Sequence, residues 1–475
     1  MAPIKVLFLA SEAEPFIKIG GLGDVAGSLP IALRALDAQL EIHLVLPHHK
    51  RIDLSSYSTQ SEPPVKFSAN NVKYVAQPLS LVSGDVKITF ISGEPISACE
   101  KVYSTDILKD ADKFTFFVFA AMYHCQNQGW RPDVLFANDW HTAISTHIVK
   151  HNLMGSFWSK TRTILAIHNL AYMGAGSEPV LSKYGIEPVE SDLLPWWGKH
   201  VPLPMGALAA DKIVTVSPTY AKEIQSEEFG CGLDPFFQAR SNDIVGIVNG
   251  IDLQMWDPST DQHILARFSA NELKAKSDNK VALQQLVGLP EDPSVPLLAM
   301  VTRMDQQKGV DLLVHAANLL VDEQFQLIIL GTGNPEIEKE CLQLQSAFPQ
   351  KVRALIKFDS ILSRKVYAGA DMITMPSRYE PCGIAQMISM RYGSIPIARS
   401  TGGLQDTIHE GETGFLFEKA DPIQLAECIR KAKRTFAKRS AWNKIQLTCM
   451  AEDFSWNRSA VQYLSLFQEL LREGK

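Results

Sequence analysis

Short apolar runs alternate with amphipathic stretches along most of this chain. Val6–Ala10 is apolar at every position, and after a turn Gly23–Leu36 takes up helical spacing. Glu41–Leu46, Val86–Ile91, Val134–Ala137, Thr163–Ile167 and Ile213–Val216 repeat the strand pattern, with helices expected at Lys113–Asn127 and Thr142–His151. Strands alternating with helices predict an α/β fold on a doubly wound, mostly parallel sheet. A polar stretch, Pro258–Asn279, carries no strong strand signal. The rhythm then restarts with strand Pro296–Val301, helix Leu312–Leu320 and strands Gln326–Leu330, Ala354–Phe358, Met372–Met375 and Ile395–Ala398. A second Rossmann-like sheet is expected, with the boundary between residues 246 and 260.

Composition narrows the picture. A chain of 475 residues with 46% hydrophobic content exceeds one ordinary core, so two domains are expected. The net charge of −6 lacks the basic footprint of nucleic-acid binding, although a local basic cleft for a phosphate stays compatible with it. The seven cysteines are scattered, lack metal-ligand spacing and read as reduced thiols. No run reaches the ~18 apolar residues of a membrane span. The first residues run directly into a strand rather than a signal peptide. The expectation is a cytoplasmic protein with neither nucleic acid nor membrane as partner.

Two glycine-rich turns carry the candidate chemistry. Lys18-Ile19-Gly20-Gly21-Leu22-Gly23-Asp24-Val25 follows the first strand, and Thr401-Gly402-Gly403-Leu404 follows Arg378-Tyr379-Glu380-Pro381-Cys382-Gly383 late in the second half. Glycine lets backbone N–H groups approach an anion, and a helix opening there adds its positive end. One such turn in each half suggests a nucleotide-linked substrate gripped between domains; a purely structural strand-to-helix turn is the other reading of each. Neither turn contains a Walker Gly-Lys-Ser/Thr, which disfavours ATP hydrolysis. Gly20-Gly21-Leu22-Gly23 misses the Gly-x-Gly-x-x-Gly spacing of a nicotinamide dehydrogenase. Ligands of open α/β sheets bind beyond the carboxyl ends of strands, where Asp139, His168, Arg303 and Glu380 also fall.

These blocks are joined, in order, by Asn138-Asp139-Trp140-His141, His168-Asn169-Leu170-Ala171-Tyr172, Val216-Ser217-Pro218-Thr219-Tyr220, Asn249-Gly250-Ile251-Asp252 and Thr302-Arg303-Met304-Asp305-Gln306-Gln307-Lys308-Gly309. Over nearly its whole length the chain thereby resembles the bacterial glycogen synthases and starch synthases, retaining glycosyltransferases of GT-B fold. The resemblance implies two Rossmann-like doubly wound domains facing an interdomain cleft. Residues 1–250 would form the acceptor side and 251–456 the nucleotide-sugar side, with an amphipathic C-terminal helix, 457–475, returning to the first domain. It implies transfer of glucose from a nucleotide-glucose donor, ADP-glucose before UDP-glucose, to the nonreducing 4-hydroxyl of an α-1,4-glucan such as glycogen. Retention of configuration, no cofactor beyond the nucleotide-sugar cosubstrate and no bound metal follow from the same source.

The resemblance also distributes roles. Arg303 and Lys308 hold the donor diphosphate, where a planar fork and a point charge suit a leaving anion. Glu380 contacts the donor glucose and is essential to transfer, His168 binds that glucose near the reaction centre, and Asp139 lies towards the acceptor. These five are the catalytic candidates. Lys18, Gly20 and Gly21, with Asp24, approach the phosphates or sugar from the first domain, and Thr401, Gly402 and Gly403 offer N–H groups to the diphosphate. Asn169, Asn249 and Gly383 come with their motifs as substrate contacts. Cys382 is either tight packing or a thiol beside the substrate. Tyr103, in the loop Lys101–Asp106, stands in the region of a glucan-side tyrosine, and His141 is a structural neighbour. Phe358 ends a strand where the family often has tyrosine; it either stacks on the nucleotide base or packs in the core.

Three places depart from the family pattern: Val201–Gly206, Arg364 where a histidine is common, and the Trp196-Trp197-Gly198 loop. They bear on acceptor contacts and donor base more than on the reaction. A noncatalytic glucan-binding protein of the same fold is the rival from another class, and the intact set Lys18, His168, Arg303, Lys308 and Glu380 argues against it. Nothing in the sequence speaks to oligomeric state.

Overall fold

The computed structural model describes residues 3–473; Met1, Ala2, Gly474 and Lys475, at the outer ends of the expected segments 1–250 and 457–475, lie outside the described residues. The chain forms two compact units, one of residues 1–250 with 456–475 and one of residues 251–455.

The first unit contains β1 (Lys5–Leu9), β2 (Glu41–Pro47), β3 (Gln60–Ser61), β4 (Val65–Ala69), β5 (Val72–Ser83), β6 (Val86–Ser92), β7 (Val134–Asn138), β8 (Arg162–Ile167), β9 (Lys212–Thr215) and β10 (Ile244–Gly246). They lie in the order β10-β9-β8-β7-β1-β2-β6-β5-β3, with β4 paired to β5. From β10 to β6 every pair is parallel. β1 and β7 are buried almost throughout, and Phe8 stacks on Phe136 across them at 4.7 Å. β5 turns back antiparallel on β6 and carries β3 and β4. This insertion was not expected from the sequence, because β4 alternates buried and exposed positions instead of forming an apolar run.

The C-terminal helix Trp456–Glu473 packs against helix Gly21–Leu36 within the first unit. Trp456 therefore belongs to the helix and to this unit, not to the second domain as expected. Its buried face, including Ala460, Tyr463, Phe467 and Leu470, joins the core formed by β1, β7 and the Gly21 helix. Phe136 meets Tyr463 and Phe467 edge-on at 5.7 and 6.1 Å. Phe467→Ala is expected to cost about 3–5 kcal/mol. Denaturant unfolding followed by probes in each unit should show the transition of the first unit shifted and that of residues 251–455 unmoved.

The second unit holds β11 (Leu297–Val301), β12 (Gln326–Gly331), β13 (Val352–Ile356), β14 (Met372–Met375), β15 (Ile395–Arg399) and β16 (Phe415–Phe417) in the all-parallel order β13-β12-β11-β14-β15-β16. That is the doubly wound Rossmann order, reversing between β11 and β14; in the first unit the reversal falls between β1 and β7. β13 ends two residues before Phe358, correcting the predicted strand Ala354–Phe358.

The tail of the polar stretch is a helix, Lys274–Val287, whose inner face is itself polar. Lys276 donates to the Ala368 carbonyl and Ser394 Oγ, both at 2.9 Å, and Lys280 to Asp371 at 2.6 Å. Gln284 donates to Gln326 at 2.7 Å. Burial pushes the Lys276 ammonium down to about 7. Tertiary hydrogen bonds, rather than an apolar stripe, hold this helix, so periodicity missed it.

Candidate active site

Lys18 and Asp139 follow the strands flanking the reversal in the first unit, Arg303, Lys308 and Glu380 those in the second, where an open sheet leaves a crevice; His168 follows β8 and Thr401–Gly403 follow β15, one strand further out.

In the second unit the loop after β11 and the loop after β14 are laced together. Lys308 Nζ contacts both Glu380 oxygens, at 2.9 and 2.6 Å, and Ser377 Oγ donates to the same carboxylate at 3.0 Å. Glu380 is 8% exposed, so this is a largely sheltered ion pair with a second donor. Asp305 organises the first loop: it accepts the Lys308 amide at 3.1 Å and pairs with Arg303 at 2.9 Å. The Arg303 side chain is 61% exposed, whereas Lys308 is held against the buried Glu380. Arg378 grips Asp311 in a bidentate pair at 2.8 and 2.6 Å, and its amide donates to the Gln307 carbonyl at 2.7 Å. Gly309 has φ of +69°, and a Cβ there would lie 2.1 Å from the Pro376 carbonyl oxygen. Only glycine lets the two loops meet so closely.

The Thr401–Gly403 turn opens the six-residue helix Gly402–Thr407. Gly402, at φ +45°, would place a Cβ 1.9 Å from the Glu380 carbonyl oxygen. The Gly403 amide donates to the Glu380 and Pro381 carbonyls at 3.1 and 3.2 Å. That amide thus anchors the Glu380 segment, where the sequence suggested a donor to the diphosphate. Cys382 is buried, and the carbonyls of Cys382 and Gly383 each accept from Gln386 at 3.0 Å, giving the thiol a packed environment. Phe358 is 88% exposed, which removes core packing and leaves the stacking alternative.

In the first unit, Asp139 opens helix Asp139–Lys150 at φ +53°, a conformation that short polar side chains tolerate better than most. The predicted start at Thr142 was three residues late. Its carboxylate accepts the amides of His168 at 2.7 Å and Asn169 at 3.4 Å. Burial pushes the Asp139 carboxyl up to about 7 against those amides, with the Glu12 charge adding to the rise. His168 Nε2 lies 2.8 Å from Asn138 Oδ1, and Asn138 Nδ2 donates to the Leu9 carbonyl at 2.8 Å. With its amide nitrogen committed to Leu9, Asn138 accepts through oxygen, which assigns the proton to His168 Nε2. Burial pushes the imidazole down to about 4, so it is neutral at physiological pH. The Asn169 side chain accepts the Ala171 amide at 3.2 Å and shapes its own turn. Asn249 is buried with Oδ1 unpartnered among the described residues, and no contact joins it to the others.

The first glycine turn is occupied from within. The Ile19 amide donates to Glu12, as does the Gly20 amide at 3.2 and 3.1 Å, so these donors are not held open for a phosphate. Lys18 pairs with Asp24 at 2.6 Å and Glu14 at 3.0 Å. Burial pushes Asp24 up to about 6 against the pull of Lys18. No contact of Gly21 tests its role. Tyr103 comes from its distant loop to this turn: its hydroxyl donates to Glu12 at 3.0 Å and shares a 2.8 Å hydrogen bond with Ser11 Oγ. Its ring lies 4.8 Å from that of His141, which sits buried among Trp140, Phe114 and Tyr103. Glu12, Asn138, Ser377 and Asp305 hold candidate residues, a role the sequence reading assigned to none of them; Asn138 and Asp305 stood within quoted blocks, and Glu12 had one signal, an acid two residues beyond a wholly apolar strand.

Among the described residues no group of three His, Cys, Asp or Glu side chains is placed to hold a metal, and no helix is long and apolar enough to cross a membrane.

Comparison with known proteins gives a consistent picture. The starch synthase catalytic domain family matches residues 5–239, and glycosyl transferases group 1 matches residues 286–446. A glycogen synthase of Thermotoga maritima is 37% identical over 485 residues, covering 98% of this chain and 99% of its own. That of Lactococcus lactis subsp. lactis is 38% identical over 483 residues, covering 98% and 100%. Among solved structures, the catalytic domain of starch synthase IV from Arabidopsis thaliana, bound to ADP and acarbose, superposes with a TM-score of 0.89 at 29% identity, over 99% of this chain and 100% of that one. Sucrose-phosphate synthase from Thermosynechococcus elongatus shares the fold, at a TM-score of 0.63 and 19% identity over 99% and 100% of the two chains.

Proposed function

The chain belongs to the glycogen and starch synthase family of GT-B glucosyltransferases, and from that premise we propose that it moves glucose from ADP-glucose to the nonreducing 4-hydroxyl of an α-1,4-glucan, with retention, in glycogen biosynthesis. The observation that carries the reading is the Lys308–Glu380 pair at the sheet reversal of the second unit. Breaking a sugar–phosphate bond leaves negative charge on the diphosphate and positive charge on the sugar carbon. A fixed cation beside a fixed carboxylate complements that separation without reorganising as it develops. Lys308, tethered by Glu380 and the Asp305 loop, takes the phosphate side, with Arg303, exposed and paired to Asp305 on the same loop, as a second cation for that group.

In the first unit, His168 is assigned to the donor glucose and Asp139 to the acceptor side. A neutral imidazole adds no positive charge near a sugar carbon that is becoming cationic. The leaving phosphate oxygen takes the acceptor's proton on the same face that the glucan attacks, which retains configuration and calls on no bound metal. The adenine nucleotide in the starch synthase IV neighbour supports ADP-glucose as donor, and the acarbose there supports a glucan acceptor.

Glucose incorporation into glycogen, measured with ADP-glucose and UDP-glucose in parallel and without added metal, tests this. Incorporation predominantly from ADP-glucose, into product that α-1,4-specific hydrolases digest, is the expected result. A preference for UDP-glucose overturns the donor assignment, and resistance to those hydrolases overturns the stereochemistry.

A further inference from the structure

Trp196 is 78% exposed on the short helix Trp196–His200, in the loop where this chain departs from its family pattern. We infer that it is a platform for the α-glucan chain, an outer acceptor subsite of the first unit; the inference rests on the transferase reading above.

Its place in the fold is the first support. The segment leaving the carboxyl end of β8 returns through helix Pro202–Ala209 to the start of β9, so Trp196, just before that returning helix, lies in the β8-to-β9 crossover of the sheet that carries His168 and Asp139. The Leu203 amide donates to the Met173 carbonyl at 3.2 Å. A Cβ on Gly174 would lie 2.6 Å from the Trp140 ring and 3.1 Å from Pro202, so this segment abuts the helix that Asp139 opens.

The adjacent ring behaves differently. Trp197 turns towards Gly232, where a Cβ would meet it at 3.4 Å, and is half-buried. Trp196 faces solvent, 6.5 Å from the His200 ring. The preceding loop exposes three carboxylates, Glu187, Glu190 and Asp192. They repel a phosphate-bearing ligand, whether nucleic acid or anionic lipid, and accept hydrogen bonds from hydroxyls. One indole with Leu193 as its exposed apolar neighbour is far smaller than a protein docking face. It matches a glucose unit, whose C–H face covers an aromatic ring while its hydroxyls reach the polar rim.

The test uses the full-length enzyme and glycogen itself, comparing wild type, Trp196→Ala and Trp196→Phe by electrophoresis through glycogen-containing gels and by initial rates. Trp196→Ala should lose most of its retardation and raise the KM for glycogen about fivefold to tenfold. The KM for the nucleotide-glucose and the kcat at saturating glycogen should stay within about twofold of wild type, and Trp196→Phe should retain most of the binding. Unchanged retardation and KM in an active Trp196→Ala enzyme overturn the platform. A wild type that transfers no glucose, yet is retarded in a Trp196-dependent way, refutes the transferase reading and leaves the platform standing.

Discussion

Glu380→Gln should lower kcat about a thousandfold, roughly 4 kcal/mol of transition-state stabilisation, while leaving the KM for the nucleotide-glucose nearly unchanged. The amide has the carboxylate's shape and can still accept from Ser377 Oγ, so the loop geometry survives. What disappears is the negative charge, which in the proposed transfer steadies the sugar's developing positive charge and in the structure holds Lys308. Removing the other partner, Lys308→Met, strands a carboxylate that is 8% exposed and removes the cation proposed for the phosphates. That variant should lose donor affinity as well as turnover. Because the two groups act on one charge separation, the double variant should be much less impaired than the product of the two single losses. Initial rates with radiolabelled donor decide it: a Glu380→Gln enzyme within about tenfold of wild type would remove Glu380 from the transfer step.

The second large effect is on stability and runs against activity. The buried Asp139 carboxyl has its pKa pushed up to about 7 from an ordinary value of 3.8. Below about pH 4 it is protonated in both folded and unfolded chains. As pH rises towards 7 the unfolded chain releases this proton while the folded one retains it, so the group's contribution to stability falls; above 7 the loss is complete. About three pKa units correspond to roughly 4 kcal/mol. Asp139→Asn cannot ionise and keeps an oxygen for the His168 amide. It should therefore raise the melting temperature of the first unit by about 5–10 °C at pH 8 and change it little at pH 4. Transfer should fall about a hundredfold in the same protein if, as proposed, this carboxyl serves the acceptor side. Thermal unfolding at the two pH values checks the sign, and an equal shift at both would show that burial of charge is not the cause.

Much of this was legible in the chain. The longer parallel strands of both sheets were visible because strands covered on both faces must be apolar throughout, whereas the three-residue edge strands β10 and β16 were too short to stand out. The elements that escaped had a physical reason to do so. β4 alternates because one side faces solvent, and the Lys274–Val287 helix is fastened by lysines and glutamines that no hydrophobic period reveals. Glu380, Lys308, His168 and Asp139 stood in readable motifs, but which residues they pair with was not readable there. Glu12 reaches the Gly20 amide across eight residues and Tyr103 across ninety-one, and such contacts come only from the folded backbone. The glycine turns were also read too simply. Part of their geometry lets loop pack on loop, with amides engaged by Glu12 and by the Glu380 carbonyl.

The first unit is made of two stretches of chain, separated by the whole of the second. On the ribosome this sets an order of events. Residues up to 250 emerge with helix Gly21–Leu36 lacking the cover that Ala460, Tyr463, Phe467 and Leu470 provide. About 200 more residues must be made first, on the order of 10–40 s of synthesis. During that interval residues 251–455 can complete their own sheet, while the nascent first unit presents an uncovered apolar face to the cell. The exposure of this protein to aggregation and to chaperones is thus timed by the length of its neighbour, not by the folding rate of the unit at risk.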